Sequence, residues 1–279
     1  MSRFRTILYS VKDGVARLVL NRPAVRNGLS RAMTDEIREA VERAVADPQA
    51  RVLLLSGAGA GFCSGADLGA VNTDTHPDRR LEQSLNARTF VEDSVNPMMA
   101  ALFDCPKPIV AAVQGAVVGG GIGLALAADV VLVGETTRFM PKFTPQLALI
   151  PDLGSTWTLP RLVGRQRAMG MALLGETISG PTAAAWGMAW ACFPDAELSE
   201  RAEAIATRLA AGPPEAMAAA KTALRQSGGN DVHRQLDVEL ELAATCCGSL
   251  EFCEAATAFF EKRPPNFQAA QADQGSRNG

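Results

Sequence analysis

Residues 108–128 read PIVAAVQGAVVGGGIGLALAA, with no charged side chain over 21 positions. An apolar run of that length can cross a bilayer. This one begins on Pro108 and is broken by Gly115, Gly119, Gly120, Gly121 and Gly123. A buried strand over Ile109–Val113, a glycine turn and a short buried helix account for it better than a membrane span. Gly115 and the Gly119–Gly121 triplet then mark a place where backbone N–H groups stand free of side chains.

A second stretch of the same kind lies upstream. Val52–Leu55 reads as a buried strand, followed by the glycine-rich loop 57–61 and then Gly61-Phe62-Cys63-Ser64-Gly65-Ala66-Asp67-Leu68. N–H groups at the start of a helix carry partial positive charge. Two such turns brought together would grip one oxygen from two sides, as suits an enolate or a tetrahedral intermediate. Taken alone, each reads more readily as a tight turn than as a site. Neither is a phosphate loop, because no Gly-Lys-Ser/Thr follows, and Gly119-x-Gly121 lacks the remaining spacing and the acid of a dinucleotide site.

Outward from these turns, Phe4–Val11 and Val15–Leu20 around Asp13-Gly14 predict a hairpin. Ser30 is placed to cap a helix with Met33, Ile37, Val41 and Val45 on its apolar face, stopped by Asp47-Pro48. A further helix is predicted from the polar stretch around Asp74–Arg80 to Phe103, and short strands at Val130–Val133 and Thr137–Phe139. Strand, glycine turn and helix recur, which implies stacked β-β-α units. After about residue 199 the pattern becomes helical throughout: Glu200–Ala211, Pro214–Ser227, Asp231–Cys246 and Leu250–Lys262. The expected organisation is an α/β core over 1–199, an all-helical region over 200–263, and a polar, disordered tail over 264–279.

Composition narrows the function. Of 279 residues, 47% are hydrophobic and 20% charged, the balance of a globular protein. A net charge of −3 and a pI near 5.6 argue against nucleic-acid binding. Six cysteines form no C-x-x-C pair, and His76 and His233 are the only histidines, so no metal site is expected. The first residues lack the apolar stretch of a signal peptide. A cytoplasmic location with free, mostly buried thiols is the expectation. The three tryptophans, Trp157, Trp186 and Trp190, are expected in the core rather than in a pocket.

The motif order now has a match. Leu20-Asn21-Arg22-Pro23…Asn27, Gly65-Ala66-Asp67-Leu68 and Gly119-Gly120-Gly121 resemble the crotonase (enoyl-CoA hydratase/isomerase) superfamily. So do residues 152–164, DLGSTWTLPRLVG, and residues 258–263, AFFEKR. The resemblance spans about residues 4–267. It implies a spiral of β-β-α turns followed by helices that trimerise, often into a dimer of trimers. It also implies an acyl-CoA thioester substrate, with coenzyme A entering as part of the substrate and no separate cofactor. The family's oxyanion-hole amides map onto Ala66 and Gly120. Its CoA-binding surface maps onto Ala24, Val25, Arg26, Ser64, Asp67 and Leu68. Phe259 and Lys262 match positions that contact the nucleotide from a neighbouring subunit, although helix packing accounts for Phe259 equally well.

The departures from the family pattern separate chemistries. A hydratase uses two glutamates. The first of those positions is Gly123 here and the second is Thr144, with no acid anywhere from 136 to 151. The acid that remains is Asp152. Read from local sequence alone, an aspartate before a helix is an N-cap. The resemblance to the isomerase branch implies instead a catalytic base that moves a proton between two carbons of a thioester enolate. Glu135 and Asp129 flank a strand and are read as end caps. Cys63 and Ser64 sit beside the turn but have no neighbouring histidine to activate them. Three alternatives stand beside the isomerase: a hydratase, a hydrolase or dehalogenase with Asp152 as nucleophile, and a non-catalytic acyl-CoA-binding scaffold.

Overall fold

The computed structural model describes residues 4–67, 69 and 73–268. Strands β1 (Ile7–Lys12) and β2 (Val15–Leu20) pair antiparallel, with Lys12 opposite Val15 across a two-residue turn. Asp13 and Gly14 both have positive φ, as a hairpin turn matched to strand twist requires. From β2 the chain passes through a 3-10 turn, Pro23–Val25, into α1 (Arg31–Ala46). Ser30 caps that helix by accepting from the Met33 amide at 3.3 Å. Its buried face runs Met33, Ile37, Ala40, Val41, Ala44, and Val45 is left 38% exposed. A strict four-residue spacing overshoots the 3.6-residue turn, so the stripe has rotated off the core by its last member.

A large sheet of six strands carries the order β1-β2-β3-β5-β7-β10, with β3 at Val52–Gly57, β5 at Ile109–Val113, β7 at Val130–Gly134 and β10 at Ala191–Phe193. Beyond the first hairpin its pairings are parallel. Both faces are covered, which explains why the central strands read as continuous apolar runs. Leu53, Leu55, Ile109, Ala111, Val113 and Val133 face the α1 side, and Val52, Leu54, Val110, Ala112 and Leu132 face α8 (Leu198–Ala210). The first helix after residue 197 is thus the second cover of the core sheet.

Of a smaller sheet, β4-β6-β8-β9, only β8 was anticipated, because its strands have two or three residues: Gly61–Cys63, Ala116–Val118, Arg138–Met140 and Ile178–Ser179. Runs that short give no periodic signal. Residues 108–128 become β5, β6 and α4 (Gly120–Leu126), all buried or half-buried, with every residue of α4 buried. Among the described residues no helix is long and apolar enough to cross a membrane.

The helix expected to end near Phe103 is divided. It runs as α2 (Pro77–Phe90), a π turn over Val91–Val95, and α3 (Asn96–Asp104). Pro97 lacks the amide needed to continue the i→i−4 ladder, and the π turn absorbs the mismatch. After the short α5 (Thr144–Leu147) come α6 (Ser155–Leu174), kinked at Gly164, and α7 (Gly180–Ala185). Then α9 (Pro214–Ser227), α10 (Val232–Cys247) and α11 (Leu250–Glu261) complete the chain. Of the tail, residues 264–268 fall within the described part.

Two expectations are corrected. Only Cys63 and Cys105 are buried; Cys192 and Cys246 are half-buried, and Cys247 and Cys253 are exposed. Trp157 and Trp190 are 44% and 74% exposed rather than core residues.

Candidate functional site

The two glycine turns meet because β4 and β6 are parallel neighbours in the small sheet, so both turns leave it at the same end. Gly65, at φ +80°, passes so close that a Cβ on it would stand 2.7 Å from the Val118 carbonyl oxygen and 3.2 Å from the Gly120 nitrogen. No other residue fits there. The segment after Gly65 is pinned on its far side by Leu29, which donates to the Gly65 carbonyl at 2.8 Å and accepts from the Asp67 amide at 3.1 Å. In a parallel bridge of this kind the intervening residue, Ala66, turns its own N–H the other way. Gly120 is the first residue of α4, where the amide has no partner within the helix. Neither amide donates to another group among the described residues.

Asp152 lies over this point. Its Oδ1 is 3.2 Å from where a Cβ on Gly120 would be, and Leu153 Cδ1 is 2.9 Å from it. The carboxylate is not a helix cap: α6 is capped by Gly154 at φ +73°, with no side-chain cap bond, and Asp152 contributes only its backbone carbonyl to the Ser155 amide. Asp152 is exposed at the surface of the chain, yet the protein packed around its carboxyl is enough to desolvate it. That desolvation raises its pKa from 3.8 to about 6, against a smaller lowering from its own amide. Among the described residues no cation contributes to holding the charged form.

Gly123, which the resemblance aligns with the first glutamate of a hydratase, has no room for a side chain. A Cβ there would overlap the Leu153 carbonyl oxygen and lie 2.7 Å from Leu153 Cβ and 2.9 Å from Ser155 Oγ. Leu153 achieves this packing at a φ of +48°, and Ser155 is fully buried with a hydroxyl that has no hydrogen-bond partner among the described residues. Neither residue was singled out from the sequence, since nothing in a leucine or serine signals a left-handed turn against a helix two strands earlier in the chain. At the second position, Thr144 opens α5 and uses its hydroxyl on the Leu149 carbonyl at 3.0 Å.

The residues expected to hold CoA are partly assembled. Ala24, Val25 and Arg26 are exposed on the 3-10 turn, and Ser64 joins them, its Oγ donating to the Val25 carbonyl at 3.1 Å and its amide to that of Arg26 at 2.9 Å. Asp67 is engaged within the protein: it accepts from Gly69 at 3.2 Å and pairs with Arg22 at 3.0 Å, and both bonds hold its pKa down. Leu68 lies outside the described residues. Phe259, 78% exposed, and Lys262, the left-handed C-cap of α11, sit on a helix that packs against α10. Among the described residues no hydrogen bond or ion pair joins them to the Ala24–Asp67 surface within the chain.

Other candidates resolve structurally. Asp129 caps β5 through the Ile109 amide and pairs with Lys221 at 2.7 Å and Arg225 at 2.8 Å. A cleft of about 780 Å³ beside that cluster, lined by Phe103, Trp157, Leu162 and Leu224, has no acid other than the ion-paired Asp129. His76 caps α2, and the Cys63 thiol and Ser64 hydroxyl donate to backbone carbonyls, so no histidine activates either. Among the described residues no three metal-ligating side chains cluster.

A family model described as enoyl-CoA hydratase/isomerase matches residues 10–270. A probable enoyl-CoA hydratase of Rhodobacter capsulatus is 42% identical over 95% of this chain and 98% of its own. The 1,2-epoxyphenylacetyl-CoA isomerase of Escherichia coli is 39% identical over 94% of this chain and 97% of its own. A crystal structure of a putative enoyl-CoA hydratase/isomerase from Mycobacterium abscessus superposes with a TM-score of 0.86 at 35% identity, covering 94% of this chain and 98% of that one.

Proposed function

The chain belongs to the enoyl-CoA hydratase/isomerase family of the crotonase superfamily, and from that premise we propose that it is a double-bond isomerase acting on an acyl-CoA thioester. The observation that carries the reading is the pairing of Asp152 with a closed Gly123. One carboxylate lies beside the Cα of Gly120, and the place where a hydratase would hold its first glutamate is filled by Leu153 and Ser155.

In this reading the thioester oxygen sits against the Ala66 and Gly120 amides, which stabilise negative charge as the enolate forms. Removing one such donor typically costs about 2.7–4 kcal/mol of transition-state stabilisation. Asp152 takes a proton beside the conjugated system and returns it two carbons away. A carboxyl with a pKa near 6 is ionised at neutral pH yet still a competent donor afterwards, the compromise that two-way proton transfer needs. Hydration would also require a partner to orient water, and residues 136–151 contain no acid to do so. Desolvation without a neighbouring cation favours a proton carrier over a nucleophile that must stay charged. The R. capsulatus relative's hydratase name points to the main alternative, and the E. coli relative's name to isomerisation.

The test is a panel of acyl-CoA thioesters followed by mass spectrometry in D2O. Isomerisation with deuterium entering the α- or γ-carbon is expected, and Asp152→Asn should abolish both by about 100-fold or more. Net addition of water, a covalent adduct at Asp152, or tight binding without exchange would each replace the isomerase with a different member of the family.

A further inference from the structure

Asn27 is fully buried at a φ of +57°, directly after Arg26 at +50°. Two consecutive left-handed residues without a glycine are unusual, and asparagine tolerates that region better than most. Its side chain is completely engaged. Oδ1 accepts from the Arg22 amide at 2.9 Å, and Nδ2 donates to the carbonyls of Ala58 at 2.9 Å, Gly61 at 3.0 Å and Phe62 at 3.0 Å. Its own carbonyl receives the Cys63 thiol at 3.2 Å, and that sulfur in turn receives the Gly65 amide at 3.4 Å. Burial pushes the Cys63 thiol up to about 12, so the sulfur keeps its proton and can donate and accept at once.

The bonds to Gly61, Phe62, Cys63 and Gly65 converge on β4 and the residues just before Ala66, while those to Arg22 and Ala58 anchor the flanking loops. The segment 26–29 fixes the direction of the Ala66 N–H, through the Arg26 carbonyl on Ser64 and the two Leu29 bonds that bracket Ala66. Asn27 fixes where that segment sits against β4. Loss of its NH2 group would leave three carbonyls on the 58–62 loop without their shared donor, and the loop would be free to shift relative to Gly120. A displacement of about 1 Å at a reacting geometry can cost on the order of 100-fold in rate.

We infer that Asn27 is a positioning residue that aims the Ala66 amide at the thioester oxygen, acting through β4 and Cys63 without touching substrate. The inference rests on the reading of Ala66 as an oxyanion donor. No motif match supplies this role; it follows from the burial and the convergence of four side-chain bonds on one residue.

Difference infrared spectroscopy tests it on the full chain, with a short saturated acyl-CoA carrying ¹³C at the thioester carbonyl. Wild type should lower the carbonyl frequency on binding. Asn27→Asp keeps the shape but turns an oxygen toward the three carbonyls, and Asn27→Gly keeps the backbone but removes the side chain. Both should lose most of the shift and about 10- to 100-fold in kcat, with a smaller change in KM. Should neither fold by circular dichroism, Cys63→Ala replaces them. It is expected to weaken the shift, and Cys63→Ser, which keeps a donor and acceptor, to restore it. A shift retained in full by the folded variants overturns the positioning role alone. A wild-type spectrum without any shift overturns the oxyanion reading and this inference with it.

Discussion

At the scale of single residues, Asp152 carries opposed demands. Its pKa of about 6 in the folded protein exceeds the 3.8 of an unperturbed aspartate, so folding disfavours its charged form. Between those two values the unfolded chain releases the proton while the native chain retains it. Stability therefore falls as pH rises through that window and stays reduced above it. Asp152→Asn has no charge to desolvate. It should melt above wild type at pH 7 by differential scanning calorimetry and converge with it below about pH 4, while losing activity. A lower melting temperature at pH 7 would show that the carboxylate is held by interactions rather than strained. The same pKa sets a rate profile: kcat/KM should fall tenfold per unit below about pH 6 as the base is protonated, and level off above it. Gly123 gives the complementary experiment. Gly123→Ala adds only a methyl, yet it meets backbone, so a loss of about 1–3 kcal/mol in urea unfolding is expected.

At the scale of elements, the helical end of the chain is tied to itself by one buried acid. Glu251, 4% exposed in the first turn of α11, accepts from the amides of Glu215 and Ala216 at 3.1 and 3.3 Å. Those amides are the unsatisfied donors at the start of α9, and Pro213 before them offers no side-chain cap. A carboxylate there also complements the helix dipole. Glu251→Ala should destabilise the protein by about 1 kcal/mol, since two partly buried donors lose their acceptor. Glu251→Gln should recover part of that, because an amide oxygen still accepts. Equal midpoints for Glu251→Ala and wild type would mean the α9 start is satisfied by water. The same helices account for the mixed fate of the cysteines. A thiol buries well, but α10 and the early part of α11 have few buried positions to offer.

At the scale of the whole molecule, the described chain leaves large apolar side chains uncovered. Phe252, Phe259 and Phe260 on α11 are 51%, 78% and 81% exposed, and Leu224, Leu240 and Trp190 lie between 65% and 75%. Scattered apolar exposure is ordinary, but aromatic clusters at this density mark association surfaces. We expect assembly through the helices after residue 200 into a trimer or a dimer of trimers, burying about 2,000 Å² or more per interface. Sedimentation equilibrium at micromolar concentration should return a multiple of three chains. A folded, active monomer at that concentration would remove the expectation, and with it the placement of Phe259 and Lys262 at a neighbour's site.

The sequence alone carried the α/β class, the first hairpin, the helix capped by Ser30 and the helices after residue 197 within a few residues, because periodicity, caps and breakers are local. It also placed the two glycine turns and showed that residues 136–151 carry no acid, since a missing side chain is visible without coordinates. Local signals could not say whether Asp152 caps a helix. That depended on the Gly154 cap and on how α6 meets α4, a contact between residues 30 positions apart. The closure of Gly123 by Leu153 and Ser155, and the raised pKa of Asp152, likewise follow from packing. So does the small sheet, whose strands are too short to have a period. The tertiary structure decided these because desolvation and steric exclusion belong to the space between elements, where one strand of sequence carries no information about what fills it.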